Sequence, residues 1–344
     1  MRLSQRSKQI AFCCVYALFL LVIVELGSRA FWKARGVPFW AAPRNIYRSF
    51  YPMISSVERE AHRYAENGED CFEVLMLGGS ALHPKYGDIE HVLREKLIRT
   101  RGECVRVYNL SAAGHTSLDS YYKYKHLARM HFDLVIVYHG INEVRANNCP
   151  PSVFREDYSH LSWYRLINDF ERKAESRWFA FPYTVKFVVL KVADRLGWSS
   201  TLPTHKPDPE SVEYGCDVKT KLPFRHNIEG ILDLAARRSE PVLLMSFAFY
   251  LPEDYTEERF GAGELDYTVH TFPVELWGKP ECVAAGVSAH NEVVAELAMS
   301  SDNVIHVDQD KLIPKDAQHF NDICHLTHEG CERFADNIIN ALSD

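Results

Sequence analysis

Five short apolar runs, at residues 72–77, 105–110, 134–138, 242–247 and 304–307, constrain this chain more than any other feature. Each is rich in Val, Ile, Leu, Phe or Tyr and lacks polar alternation, which is how a parallel strand covered on both faces reads. Between the runs, apolar residues recur at helical spacing: Ile89, Val92, Leu93 and Leu97, then Ile228, Ile231, Leu232 and Ala235, then Val283, Val287, Val294 and Leu297. Alternating strand and helix predicts a doubly wound α/β sheet with right-handed crossovers. A sheet of that kind holds its ligand beyond the carboxyl ends of its strands.

Residues able to do chemistry follow those ends. The first run leads into Gly78-Gly79-Ser80, the second into Asn109 to Ser117 with Gly114 and His115 inside it, and the third into Gly140-Ile141-Asn142-Glu143. Asp322-Ile323-Cys324-His325 follows the fifth. Singly, each has an ordinary explanation: a tight turn at Ser80, a positive φ at Gly114, a turn residue at Asn142, a helix cap at Asp322. Together they supply every part of an acyl-transfer site. A serine hydroxyl is a poor nucleophile until a base takes its proton. His325 is the candidate base, and Asp322 can hold its imidazole in one tautomer. The Ser80 and Gly114 backbone N–H groups and the Asn142 side chain are candidate donors to the developing oxyanion. Such a reaction needs neutral His325, so activity is expected to rise with pH as that proton is lost.

Gly79-Ser80, Gly114 within its block, Gly140-x-Asn142 and Asp322-x-x-His325 resemble the four sequence blocks of the SGNH (GDSL-type) hydrolases, in the membrane-anchored bacterial form. The resemblance implies a three-layer, flavodoxin-like sheet of five parallel strands. It also implies Ser80 as nucleophile, Asp322 and His325 as its partners, and Ser80, Gly114 and Asn142 as the oxyanion hole, with no cofactor and no metal. It covers residue 72 to about 343, apart from an insertion. Two departures stand out: Gly-Gly-Ser replaces Gly-Asp-Ser, and Glu143 follows Asn142 where Asp is commoner. The implied activity is hydrolysis of small acyl esters, acetyl foremost, on small molecules or on cell-envelope glycans or lipids. An O-acyltransferase using the same triad is the alternative outcome, and a non-catalytic membrane-anchored binding module is the alternative of another class. His115, His139, His325 and His328 raise a metal site, but no metal-binding spacing accompanies them; His325 and His328 lie in a loop the triad already explains, and His115 and His139 read as packing residues or pocket walls. The sequon at Asn109-Leu110-Ser111 falls inside an active-site block and reads as a chance match.

The 344 residues carry 39 basic and 46 acidic side chains, a net charge of -7, with no long basic block, which argues against a nucleic-acid partner. The strongest local asymmetry is the uncharged run at 10–24, preceded by Arg2, Arg6 and Lys8. A retained transmembrane anchor over residues 1–30 is favoured over a cleaved signal, because Arg29 interrupts the best cleavage site at Ser28 to Ala30. A short leading flank then puts the domain on the periplasmic or extracellular side. Residues 31–70, aromatic and arginine-rich without periodicity, read as a stalk. Residues 71–344 read as the hydrolase domain, with a helical insertion at about 144–240 whose aromatic stretch at 163–198 reads chiefly as core, and a substrate loop at 251–280. Seven cysteines lie outside the apolar run, an odd number. Cys71 and Cys104 each open a strand, which leaves a bridge or two free buried thiols open.

Overall fold

The computed structural model describes residues 5–67, 70–102, 104–172, 178–198, 201–204, 206–301 and 303–343, so Arg2 lies outside the described residues. In chain order the elements are α1 (Gln5–Lys33), α2 (Pro52–Asn67), β1 (Phe72–Gly78), α3 (Ile89–Arg101), β2 (Val105–Asn109), α4 (Ser117–His126), β3 (Leu134–Tyr138), α5 (Ile141–Val144), α6 (Ser162–Arg172), α7 (Phe181–Arg195), α8 (Lys221–Arg238), β4 (Val242–Met245), α9 (Glu257–Ala262), α10 (Pro280–Met299), β5 (Val304–Val307), α11 (Gln309–Leu312) and α12 (His328–Ser343). They fall into two compact units, Met1–Ser55 with Ser162–Thr201, and Ser56–Leu161 with Leu202–Asp344.

The larger unit is the α/β fold that the apolar runs predict. All five runs are strands, all pairings are parallel, and the order is β2-β1-β3-β4-β5. That is the flavodoxin-like order. Every residue of the central strand β3 is buried, which is why its sequence, LVIVY, shows no alternation. The helices cover both faces. On one, α3 and α12 meet through Lys96, which pairs with Glu332 and Asp336 at 2.6 Å. On the other, α4, α8 and α10 pack in turn: Asn227 on α8 donates to Ser117 Oγ at 3.1 Å, and Lys221 pairs with Glu292 on α10. The helical spacings read from the sequence mark the inner faces: Ile228, Ile231 and Ala235 are fully buried, as are Val283, Val287 and Val294 to within a few per cent. A disulfide ties Cys71 to Cys104 at the entrances of β1 and β2, and a second ties Cys216 to Cys282 on α10.

The smaller unit has an aromatic core. Trp32 meets Phe170 on α6 and Phe187 on α7 at ring distances of 5.8 and 5.4 Å, and Phe50 meets Phe170 at 5.1 Å. Val37, Ile46, Tyr51 and Ile54 are buried with them. The segment that reads as the first part of a stalk lacks periodicity because it buries Trp32 and Phe50 irregularly, against helices far along the chain, and leaves Trp40 exposed. The compact units follow other boundaries than the anchor, stalk and inserted hydrolase domain of the sequence. The aromatic stretch of 163–198 is core only in part: Tyr164, Phe170, Tyr183 and Phe187 are buried, whereas Trp178, Phe179 and Trp198 are exposed. Helix α1 is exposed over its whole apolar length and is the described helix that is long and apolar enough to cross a membrane.

Candidate active site

Ser80 follows β1 directly. Gly79 is the last extended residue before one tight turn over Ser80–Leu82, closed by the His83 N–H donating to the Ser80 carbonyl at 2.9 Å. A side chain at 79 is excluded by close approach: a Cβ there would lie 2.5 Å from Asn142 Nδ2 and 3.3 Å from the His115 carbonyl oxygen. Glycine at 79 thus lets the loops after β2 and β3 close on the serine.

His325 comes from the loop between α11 and α12, far from Ser80 in sequence. That loop is tied down by backbone hydrogen bonds, with Asn321 N–H donating to the His325 carbonyl at 2.8 Å within it and Tyr250 N–H, from the segment after β4, to the Ile323 carbonyl at 3.0 Å. His325 Nε2 lies 2.9 Å from Ser80 Oγ, and its Nδ1 lies 2.9 and 3.0 Å from the two Asp322 oxygens. Asp322 Oδ1 also accepts the backbone N–H groups of Cys324 and His325 at 3.1 and 3.0 Å, which fixes the carboxylate. A carboxylate accepts only, so Nδ1 carries the proton and the Nε2 lone pair faces the serine O–H. All three side chains are buried or nearly so, with Ser80 7% exposed.

Asn142 stands in the first turn after β3. Its Oδ1 accepts from the Trp277 indole at 3.0 Å, and its Nδ2 donates to the His115 carbonyl at 2.9 Å. The indole can only donate, so it decides which end of the carboxamide faces the serine. One Nδ2 hydrogen is held by His115 and the second is left for a ligand. Ser80, Asn142, Gly79, Tyr138, His139, Gly140 and Phe247 line a recess of about 190 Å³, open mouth included. Gly114, with φ of 76°, sits in the same loop as His115 but does not line that recess. The rings of Tyr86 and Phe272 lie 5.1 and 5.0 Å from the His325 ring, and both are half-buried.

Three buried titratable side chains accompany these loops, and of them Lys123 was not singled out in the sequence. Lys123 is fully buried, donates to the Leu110 carbonyl at 2.6 Å and meets His115 Nδ1 at 3.2 Å; burial pushes its ammonium down to about 8. Glu143 accepts the Ser117 N–H at the start of α4, and burial pushes its carboxyl up to about 7. His139 contacts Ser120 Oγ at 2.8 Å, and burial, then the Lys123 charge, push it down to about 3. His328 is exposed and pairs with Asp88 at 2.7 Å. Of these histidines only His325 faces the serine. Both hydrogens of the Asn109 amide are engaged, by the Leu82 carbonyl and Glu90. Trp277, Phe272, Tyr86 and Phe247 were missed in the sequence. The one signal for the first two was their place in the long irregular segment after β4.

No family model matches the chain, and no curated protein matches it. Among solved structures it is similar to a GDSL-like lipase from Bacteroides thetaiotaomicron, with 15% identity over 84% of this chain and 98% of that one and a TM-score of 0.42. It is also similar to an acetylxylan esterase from Geobacillus stearothermophilus, with 12% identity over 80% of this chain and 95% of that one and a TM-score of 0.42. A family 3 carbohydrate esterase from Clostridium thermocellum shows 10% identity over 80% of this chain and all of that one, with a TM-score of 0.41. At such identities the chemistry has to be read from the residues of this chain.

Proposed function

We propose that this chain is a serine ester hydrolase of the SGNH type, acting through an acyl-enzyme on Ser80. The observation that carries the reading is the line from Ser80 Oγ to His325 Nε2 at 2.9 Å and from His325 Nδ1 to Asp322 at 2.9 Å. Ser80 Oγ attacks the ester carbonyl while His325 Nε2 takes its proton, and Asp322 stabilises the imidazolium. The oxyanion receives hydrogen bonds from the Ser80 and Gly114 N–H groups and the second Nδ2 hydrogen of Asn142. His325 then protonates the departing alcohol, and water repeats the sequence to release the acid and free Ser80.

The recess beside Ser80 and Asn142 is narrow, which favours an acetyl-sized acyl group. Tyr86 and Phe272 flank the base that protonates the leaving oxygen, so they suit the alcohol part. Two features favour a retained anchor with the hydrolase on an oxidising side. Glu25 and Arg29 of α1 are hydrogen-bonded to backbone groups of the smaller unit, so cleavage near residue 30 would strip those contacts. Two disulfides in the larger unit suit the periplasm or cell exterior. The test is turnover of p-nitrophenyl acetate beside its octanoate. Acetate should be preferred, and Ser80→Ala should lower turnover by roughly four orders of magnitude or more with the thermal melt intact. Undiminished turnover in that variant would overturn the proposal.

A further inference from the structure

Helix α7 presents an apolar face outward. Val185, Val188, Val189, Val192 and, just past the helix end, Leu196 are 45–58% exposed, and at helical spacing they share an arc of about 100°. Tyr183 and Phe187, on the other side, are buried in the smaller unit. Exposed Lys191 and Arg195 border the arc, while Asp194 falls opposite it. A tryptophan stands beyond each end of the helix, Trp178 and Trp198, each 78% exposed. A water-facing helix would not carry five aliphatic side chains on its exposed arc.

We infer that this face of α7 lies in the headgroup boundary of the lipid bilayer, as an interfacial helix beside the span. The inference rests on reading α1 as a retained span. The uncharged run of α1, residues 10–24, ends at Glu25, the first charge on the side towards the rest of the chain. The boundary therefore falls at Glu25, and Glu25 is where α7 is attached: its carboxylate accepts the N–H groups of Ala180 at 2.8 Å and Phe181 at 3.1 Å. Arg29, one turn on, donates to the Trp178 carbonyl at 3.1 Å. The start of α7 is thereby fixed at headgroup level, within one compact unit. Tryptophans at the ends and cations along one border suit an anionic headgroup layer over acyl chains. A protein partner would have to displace lipid already there.

The test uses the full chain with Cys13→Ala and Cys14→Ala, since the other free cysteines are buried. A single cysteine placed by Val188→Cys or Val192→Cys is labelled with an environment-sensitive NBD dye, and Met299→Cys, at an exposed site of the larger unit, is the control. Each variant is checked by its thermal melt and reconstituted in phosphatidylcholine vesicles containing some phosphatidylglycerol and a nitroxide-bearing acyl chain. Expected is flotation with the vesicles, loss of most dye emission at 188 and 192, and none at 299. Flotation with emission at 188 and 192 as bright as at 299 overturns the inference and leaves the span standing. Dye-to-dye energy transfer without lipid quenching overturns it in favour of a second copy on this face. Failure to float removes the span and the inference together.

Discussion

Asn142 makes two bonds that hold one carboxamide in one orientation. Its Nδ2 donates to the His115 carbonyl and its Oδ1 accepts from Trp277, so the remaining Nδ2 hydrogen has a fixed direction before substrate arrives. Removing that donor with Asn142→Ala should lower kcat by about 100- to 1,000-fold, with KM little changed, in steady-state ester hydrolysis. Trp277→Phe leaves the donor in place but frees the carboxamide to turn, and should lower kcat about tenfold, the scale of one hydrogen bond. Ser80, Asn142, Asp322 and His325 were legible as candidates because each follows a strand end or lies in the loop before the last helix, where the fold gathers them. Trp277 was not, because nothing in an irregular loop says which aromatic turns inward. The burial of Lys123 and Glu143 was illegible for another reason: a charge read in a sequence is normally a surface residue, and both are fully buried.

Strands and crossover helices were the most legible elements. Parallel strands covered on both faces read as plain apolar runs, and β1, β3 and β5 fall where those runs lie, with β2 and β4 ending one and two residues early. The disulfide at the mouths of β1 and β2 was half legible: two cysteines at the entrances of neighbouring strands can bridge, and they do. The Cys216–Cys282 bridge was not, because Cys216 lies in a short turn that no period marks. Bridging residues 33 apart closes a long loop in the unfolded chain, so Cys71→Ala with Cys104→Ala should cost about 2–4 kcal/mol, read as a lower urea midpoint. Equal midpoints with and without reductant in the unmodified chain would argue that neither bridge adds stability.

At the scale of the molecule, the buried histidines set the response to acid. Burial pushes His139 down to about 3 and His290 down to about 4, from an ordinary 6.5, while burial pushes Glu143 up to about 7 from 4.5. Between pH 6.5 and 4.5 the unfolded chain gains two histidine protons that the native state refuses, and the native state holds one Glu143 proton that the unfolded chain lacks. The unfolded chain therefore binds the more protons, and stability falls as pH falls through that window. Below 4.5 the Glu143 offset fades, but His290 begins to take its proton in the native state as well, so the slope holds to about pH 4 and then eases. Urea melts across this range should show it, and His139→Gln should flatten the curve. The smaller unit was the least legible part, since its core joins residues 32–54 to α6 and α7 across more than a hundred residues of chain. In the larger unit, the proposed chemistry stands on Ser80 as the nucleophile, activated by His325 and Asp322. Fluorophosphonate labelling with mass mapping tests it most directly. One adduct is expected, on Ser80 Oγ, absent from Ser80→Ala and much slower to form in His325→Ala; a full chain that takes no adduct, or takes it on another serine, would rule out Ser80 as the nucleophile.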